Sequence, residues 1–404
     1  MNDPVLQSDF DAETDALLRF GARSQAQHGF GWLTDDGSID PGRGVQLWVT
    51  GRMTHCFALG RLLGEDWCGP VAEHGVRCLL DGPLANAPGN GWSTVVGIDG
   101  TDRRLPQQAY DHSFVILAAS SGLAAGIDGS ADLLDRALRS FDLLWWDETA
   151  GMVLDSRDPV TGVVDPYRGA NANMHTVEAL LAAWAATGDR VHLSRALRIT
   201  SRILKFFMSH DFRLPEHFNA SWEPQLSYNS DALADAFRPF GSTIGHWLEW
   251  SRLILEVRNE CRSQGVVYPP AFDNAPKHMY RKSLAEGWGP DGHPGFVYTV
   301  DFKGRPLVRQ RMYWVLCEAI GAAATLSHVN HDESYALDIR DYWSYARTCL
   351  IERPGQWHEE LDENNTPSDR TWSGKPDIYH ALQAMLICKL PVGPSFAAAL
   401  AGQR

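Results

Sequence analysis

Residues 171–187 read NANMHTVEALLAAWAAT. Beyond its first turn this stretch is apolar or small on nearly every helical face, the pattern of a helix enclosed on all sides rather than laid on a surface. Five other stretches share the pattern, near 44–62, 109–125, 242–257, 309–326 and 377–389. Between them fall segments with a single apolar stripe and more charge, near 6–26, 66–80, 130–144, 191–208, 276–286 and 334–350. The two kinds alternate, and the enclosed kind starts at intervals of 65, 62, 71, 67 and 68 residues. Six helical hairpins of similar length constitute a repeat. Enclosed helices alternating with covering helices predict an all-α barrel of one ring inside another; an open solenoid of helix pairs is the alternative. If each hairpin is antiparallel, the inner helices all run one way, and their N-termini collect unpaired N–H groups and positive partial charge at one end. The longer connections, 81–108, 145–170, 209–241 and 287–308, would shape a mouth there, with short hairpin arms at 151–154 and 295–300. No linker or composition break interrupts the 404 residues, so one domain over 1–404 is expected.

Composition narrows the function. Fifty acidic residues against 36 basic ones give a net charge of -14, which offers no general attraction for nucleic acid or an anionic membrane. Seven cysteines, an odd number with no C-x-x-C, read as reduced thiols rather than a disulfide framework or zinc site. The first 20 residues carry several acids and no basic-then-apolar leader pattern, and no apolar run reaches membrane-spanning length, so a cytoplasmic protein is expected. The chain is rich in Trp, with 15, and such flat rings with one donor suit sugar faces. Trp145, Trp146, Trp184 and Trp343 are assigned to the core.

Aligned by their starts, the enclosed segments carry a polar aromatic early in each: His55, His112, His175, His246, Trp314 and His380, at intervals of 57, 63, 71, 68 and 66 residues. Glu178, Glu249 and Gln383 follow at i+3, and Glu318 follows Trp314 at i+4, so each pair shares a helix face. A single histidine on an apolar helix is usually a satisfied core residue. A recurrent set beside carboxylates costs desolvation and gains nothing in packing, which points to function. Tight metal-ligand spacings such as H-x-x-x-H are missing, as are G-x-S-x-G, G-x-G-x-x-G and the P-loop, so no metal or nucleotide cofactor is expected. A glycosidase with paired carboxylates fits less well, because histidines lead and carboxylates stand behind, a set suited to proton shuttling near neutral pH. His28, His74, His192, His210, His328 and His331 fall on outer segments and are expected to be solvated.

Several motifs carry a resemblance. They are Arg52-Met53-Thr54-His55; Asn171-Ala172-Asn173-Met174-His175 with Glu178; Arg238-Pro239-Phe240-Gly241 leading into Gly245-His246-Trp247-Leu248-Glu249-Trp250; Arg311-Met312-Tyr313-Trp314 with Glu318; and Lys375-Pro376-Asp377-Ile378-Tyr379-His380. In this order and across nearly the whole chain, the sequence resembles the N-acylglucosamine 2-epimerase superfamily, in its aldose–ketose isomerase branch. The resemblance implies an (α/α)6 barrel that works without metal or organic cofactor on a monosaccharide, as a monomer or homodimer. It implies that His380 removes the sugar C2 proton and that His246 opens the ring and moves protons at the oxygens. It also implies a pocket holding Arg52, His175, Glu249 and Glu318, to which the residues themselves add His112, Asn173, Glu178, Arg238, Trp314, Trp372 and Gln383 as expected substrate-binding groups. Gln383 stands where disaccharide epimerases carry arginine, which directs the reading away from cellobiose.

The chemistry explains the residue types. A C2 proton is weakly acidic, so its removal needs a poised base and a positive group facing the enediolate oxygens; Arg52 is the candidate for that charge. Proton return to C1 gives a ketose, whereas return to the opposite face of C2 gives an epimer. The leading expectation is mannose–fructose interconversion through a cis-enediol. A 2-epimerase, a sulfoquinovose isomerase and a non-catalytic sugar-binding barrel are the alternatives.

Overall fold

A computed structural model describes residues 3–86, 90–101, 103, 105–332 and 334–403. Thirteen α-helices appear among them: α1 (Pro4–Gly21), α2 (Leu47–Leu63), α3 (Cys68–Asp81), α4 (Ala109–Ala124), α5 (Ser130–Leu144), α6 (Ala170–Thr187), α7 (Arg190–Ser209), α8 (Ile244–Ser263), α9 (Ala275–Gly287), α10 (Tyr313–Asn330), α11 (Ser334–Tyr345), α12 (Tyr379–Ile387) and α13 (Phe396–Ala401). The first twelve fall on the twelve expected segments. The thirteenth, FAAALA, is too short to show a period. The expected 334–350 helix is helical to Tyr345 and closes with a π turn over Ala346–Leu350.

The described residues group into two compact units, each discontinuous in sequence. The first comprises Leu18–Ile199, Pro376–Tyr379 and Gly393–Arg404; the second comprises Met1–Leu17, Thr200–Lys375 and His380–Val392. In the first, α4 packs against both α2 and α6, with α3 on α2 and α5 on α4. In the second, α8 and α10 pack together, with α9 on α8 and α11 on α10. In both, the even-numbered helices are the enclosed ones: Leu47 to Gly60 of α2 and Ile244 to Arg258 of α8 are buried without a break. Each fully buried Leu, Ile or Phe along them contributes about 1.5–3 kcal/mol of apolar transfer. The odd-numbered helices bury one stripe, as Leu133, Leu134, Ala137 and Phe141 do in α5.

Five of the enclosed helices are entered from a two-residue strand whose last residue is extended backbone, with no side-chain cap bond at Gln46, Gln108, Gly169, Thr243 or Met312. Four of these strands are anchored by antiparallel pairing within their own unit: Val45–Gln46 with Val95–Val96, Gln107–Gln108 with Ser156–Arg157, Ser242–Thr243 with Thr299–Val300, and Arg311–Met312 with Glu360–Leu361. Strand pairing thus fixes where α2, α4, α8 and α10 begin. The expected hairpin arms are there too, with Trp146–Asp147 paired to Met152–Val153 and Thr299–Val300 paired to Pro306–Val308.

Candidate active site

In the second unit the short strand Ser242–Thr243 delivers the chain into α8 with His246 as its third residue. Gly245 precedes it, and a Cβ there would collide with the rigid indole of Trp314. The absent side chain lets that indole lie directly on the α8 backbone. Trp314 is the second residue of α10. Its ring sits 5.5 Å from that of His246, tilted 38°, and 5.6 Å from that of His380, tilted 35°. The two candidate acid–base histidines therefore pack against one indole. Both are nearly buried, 8% and 5% exposed.

Each imidazole meets a carboxylate at Nδ1. Glu216 Oε2 lies 2.9 Å from Nδ1 of His246, and Glu318 Oε1 lies 2.8 Å from Nδ1 of His380. The other oxygen of Glu318 accepts from Nη2 of Arg252 at 3.4 Å. Arg252 also donates from Nη1 to Glu256 at 3.1 Å and stands 3.8 Å from Glu249. One buried guanidinium thus faces three buried carboxylates on α8 and α10, a task for a forked planar donor that lysine cannot perform. Gln383 lies one turn beyond His380 and is buried.

Loops present the remaining candidates of this unit. Arg238 is half-buried, with Nη1 3.3 Å from the Tyr228 hydroxyl. Its loop is tied by Asp235, which accepts the amides of Phe237 and Arg238, and by Asn229, which donates to the Arg238 carbonyl. Trp372 stands edge-on to Phe237 at 5.1 Å. Glu360 holds the Trp372 segment by accepting the amides of Arg370, Thr371 and Trp372 and the hydroxyl of Ser368.

In the first unit, Nη1 of Arg52 donates to Asp377 at 3.0 Å and Nη2 to the Tyr110 hydroxyl at 3.0 Å. Its guanidinium lies 4.4 Å from the Phe114 ring centre, 4.6 Å from Tyr379 and 5.0 Å from Trp48. His175 packs against Phe114 at 4.8 Å and Tyr110 at 5.2 Å. Its Nδ1 is 3.9 Å from Glu178, which also accepts the Tyr379 hydroxyl. His175 and Glu178 carry ligand atoms that could hold a cation. Arg52, His175 and Glu178 are brought together, as expected, around Tyr110 and Tyr379.

Several expectations need correction. His112 does not present its ring to a ligand: Nε2 is 2.9 Å from the Ala137 carbonyl, and the ring is flanked by Trp92 and Trp145. Burial pulls its pKa down to about 4, so it is a neutral packing residue. Asn173 spends both ends of its amide on backbone, donating to the Gly169 carbonyl and accepting from the Val153 amide, and so fastens the Met152–Val153 strand to α6. His55 is the ninth residue of α2, well past the first turn. It pairs with the Ser121 hydroxyl at 2.7 Å, and burial lowers its pKa to about 4 against the opposing pull of Glu178. His192 is buried rather than solvated. Trp145 and Trp343 are core residues, whereas Trp146 and Trp184 are only half-buried.

Sequence reasoning missed Glu216, Arg252, Asp377, Tyr379, Tyr110 and Glu360. Arg252 follows Glu249 at i+3, a same-face spacing that could have exposed it. Glu216 and Glu360 sit outside any α-helix, beyond the reach of periodicity.

The family profile for N-acylglucosamine 2-epimerase matches residues 29–384. The chain is 43% identical over 396 residues to the D-mannose isomerase of Thermobifida fusca, covering 97% of this chain and 96% of that one. It is 38% identical over 392 residues to the D-mannose isomerase of Pseudomonas cannabina pv. alisalensis, covering 96% and 94%. Among solved structures, a D-mannose isomerase superposes with a TM-score of 0.85 at 25% identity over 94% of this chain and 97% of its own. Cellobiose 2-epimerase from Bacillus thermoamylovorans B4167 shares the fold, with a TM-score of 0.78 at 18% identity over 95% and 99%. The fold class is the all-α (α/α)6 type of these neighbours. On the span of the profile match and the identity of these relatives, the chain belongs to the N-acylglucosamine 2-epimerase family.

Proposed function

We propose that this protein is an aldose–ketose isomerase that interconverts D-mannose and D-fructose through a cis-enediol, by proton transfer between histidines and without a cofactor. The observation that carries the reading is the pair of carboxylate-bonded imidazoles, His246 and His380, packed on the single indole of Trp314. The full-length likeness to proteins named D-mannose isomerase supports the choice of sugar.

In this reading the carboxylate of Glu318 engages Nδ1 of His380, which turns Nε2 to proton transfer. The C2 proton moves to Nε2 of His380, exchanges there with solvent, and a proton from Nε2 is delivered onto C1. The O2 proton moves to Nε2 of His246 and from there onto O1. The sum converts an aldehyde beside a carbinol into a ketone beside a primary alcohol, with no atom gained or lost. Such positioned bases each supply about 10²–10⁴ in rate. The Trp314 face is assigned to the sugar carbons.

Purified protein incubated with D-mannose should yield D-fructose as the first product, with activity unchanged by a chelator. Glucose appearing first would replace the reading with 2-epimerisation. A 6-sulfonated sugar that saturates at far lower concentration than mannose would replace the substrate. Loss of activity on chelation would overturn the cofactor-free chemistry, and an inert response to every aldose would leave a sugar-binding role.

A further inference from the structure

We infer that Glu216 is a positioning residue that holds the proton of His246 on Nδ1 and so keeps Nε2 as a proton acceptor; the inference rests on the isomerase reading only for its kinetic consequence. The Glu216 carboxylate has two partners. Oε1 of Glu216 lies 3.0 Å from the backbone nitrogen of Thr243, and Oε2 lies 2.9 Å from Nδ1 of His246. A backbone N–H can only donate, and a carboxylate only accepts. Both oxygens therefore face donors, and the neutral imidazole must carry its hydrogen on Nδ1. Nε2 is left with a lone pair.

The carboxylate is itself held. Glu216 is 5% exposed, in the segment Leu214–His217 that is laced to the segment Pro239–Thr243 by three bonds. The Ser242 hydroxyl donates to the Leu214 carbonyl at 2.7 Å, Thr243 donates to Glu216, and Nε2 of His217 is 2.9 Å from the Pro239 carbonyl. Ser242 in turn accepts from the Trp247 indole at 2.8 Å, one residue beyond His246. His217 is the neighbour of Glu216, and its ring lies tilted against that of Tyr228 at 4.7 Å, the residue whose hydroxyl meets Arg238. The chain between the two laced segments is the loop that bears Arg238, so the strap that orients His246 also seats that arginine. His380 has its own carboxylate, Glu318, whose second oxygen accepts from the Arg252 side chain, whereas the second oxygen of Glu216 accepts from a backbone amide. Both kinds of partner can only donate; the one on Glu216 belongs to the chain that enters α8.

Glu216→Gln tests this without changing shape. The side-chain amide has one acceptor and one donor end. The Thr243 N–H claims the oxygen, so the NH₂ group faces Nδ1 and forces the His246 proton onto Nε2. Nitrogen-15 spectra of histidine-labelled protein, with the His246 signals identified by their loss in His246→Gln, report the tautomer with no sugar present. The native protein should show the Nδ1–H form, and Glu216→Gln the Nε2–H form. With mannose as substrate, Glu216→Gln should lower kcat about 10²–10⁴-fold, as loss of a general base does, while KM stays within a few fold and the circular dichroism is unaltered. Glu216→Asp, which keeps two acceptors on a shorter arm, should recover part of kcat. An Nε2–H tautomer in the native protein, or a Glu216→Gln protein that keeps Nδ1–H or native kcat, overturns the inference. A native Nδ1–H tautomer in a protein inert toward mannose would keep the inference and defeat the isomerase reading instead.

Discussion

Replacing Arg252 with methionine probes the most densely charged point of the second unit. The guanidinium is 2% exposed and lies 3.1 Å from Glu256, 3.4 Å from Glu318 and 3.8 Å from Glu249. At about 3 Å and an effective dielectric near 20, one such pair attracts by about 5 kcal/mol. Desolvation consumes much of that attraction, yet removing one member leaves its partners buried and uncompensated, which costs about 3–5 kcal/mol. Arg252→Met should therefore lose about 3–5 kcal/mol by urea denaturation. It should also lose turnover, because Glu318 then loses the Arg252 donor opposite its bond to His380. Arg252→Lys restores one charge but not the fork, and should fall between the two. A methionine variant within about 1 kcal/mol of the parent, or one with native turnover, would refute the view that this guanidinium holds Glu318 in place.

Other consequences follow from single residues. Gly245→Ala should displace the Trp314 indole and lower kcat/KM by at least about tenfold, read beside the near-ultraviolet circular dichroism of the tryptophans. Arg52→Lys exchanges a planar fork for a point charge and should weaken the bonds to Asp377 and Tyr110, read as a loss of about 1–3 kcal/mol in urea denaturation. His55 and His112 are held neutral by burial, with folded pKa values of about 4, so the unfolded chain binds their protons first as pH falls from about 6.5. Stability should drop across that window by about 3 kcal/mol for each. His112→Gln, which keeps a donor for Ala137, should flatten its share in a denaturation series from pH 7 to 4. Asp111 runs the other way. Burial raises its folded pKa to about 8, so stability should decline as pH rises from about 4 to 8, and Asp111→Asn should remove that slope.

The helical repeat was legible because burial leaves a direct mark on composition. A run such as LAAW in α6 or ILAAS in α4 has no polar face to offer water. Candidate residues were legible where a polar residue interrupts such a run, as at His175, His246, Glu249, Glu318 and His380. The same signal misled at His55, His112 and Asn173, because an interrupted run shows only that a polar group is buried and needs a partner. Ser121, the Ala137 carbonyl and the backbone around Asn173 supply those partners. Register compounded the error. The candidate residue is the second in α10 and α12, the third in α8, the sixth in α6 and the ninth in α2, and in all of these but α12 a strand leads into the helix. Glu216 and Glu360 were invisible because loop carboxylates that receive backbone amides follow no period. Asp377 was visible in the motif, but its pairing with a residue 325 positions away was not.

The central claim is that proton transfer through His380 carries the reaction. Mannose turned over in deuterated water, with fructose followed by proton and deuterium NMR, tests it most directly. The account predicts deuterium from solvent at C1 of the fructose formed, and its loss together with turnover in His380→Asn. Fructose whose C1 keeps the original C2 hydrogen throughout, or a His380→Asn protein that still delivers solvent deuterium at the native rate, would contradict it.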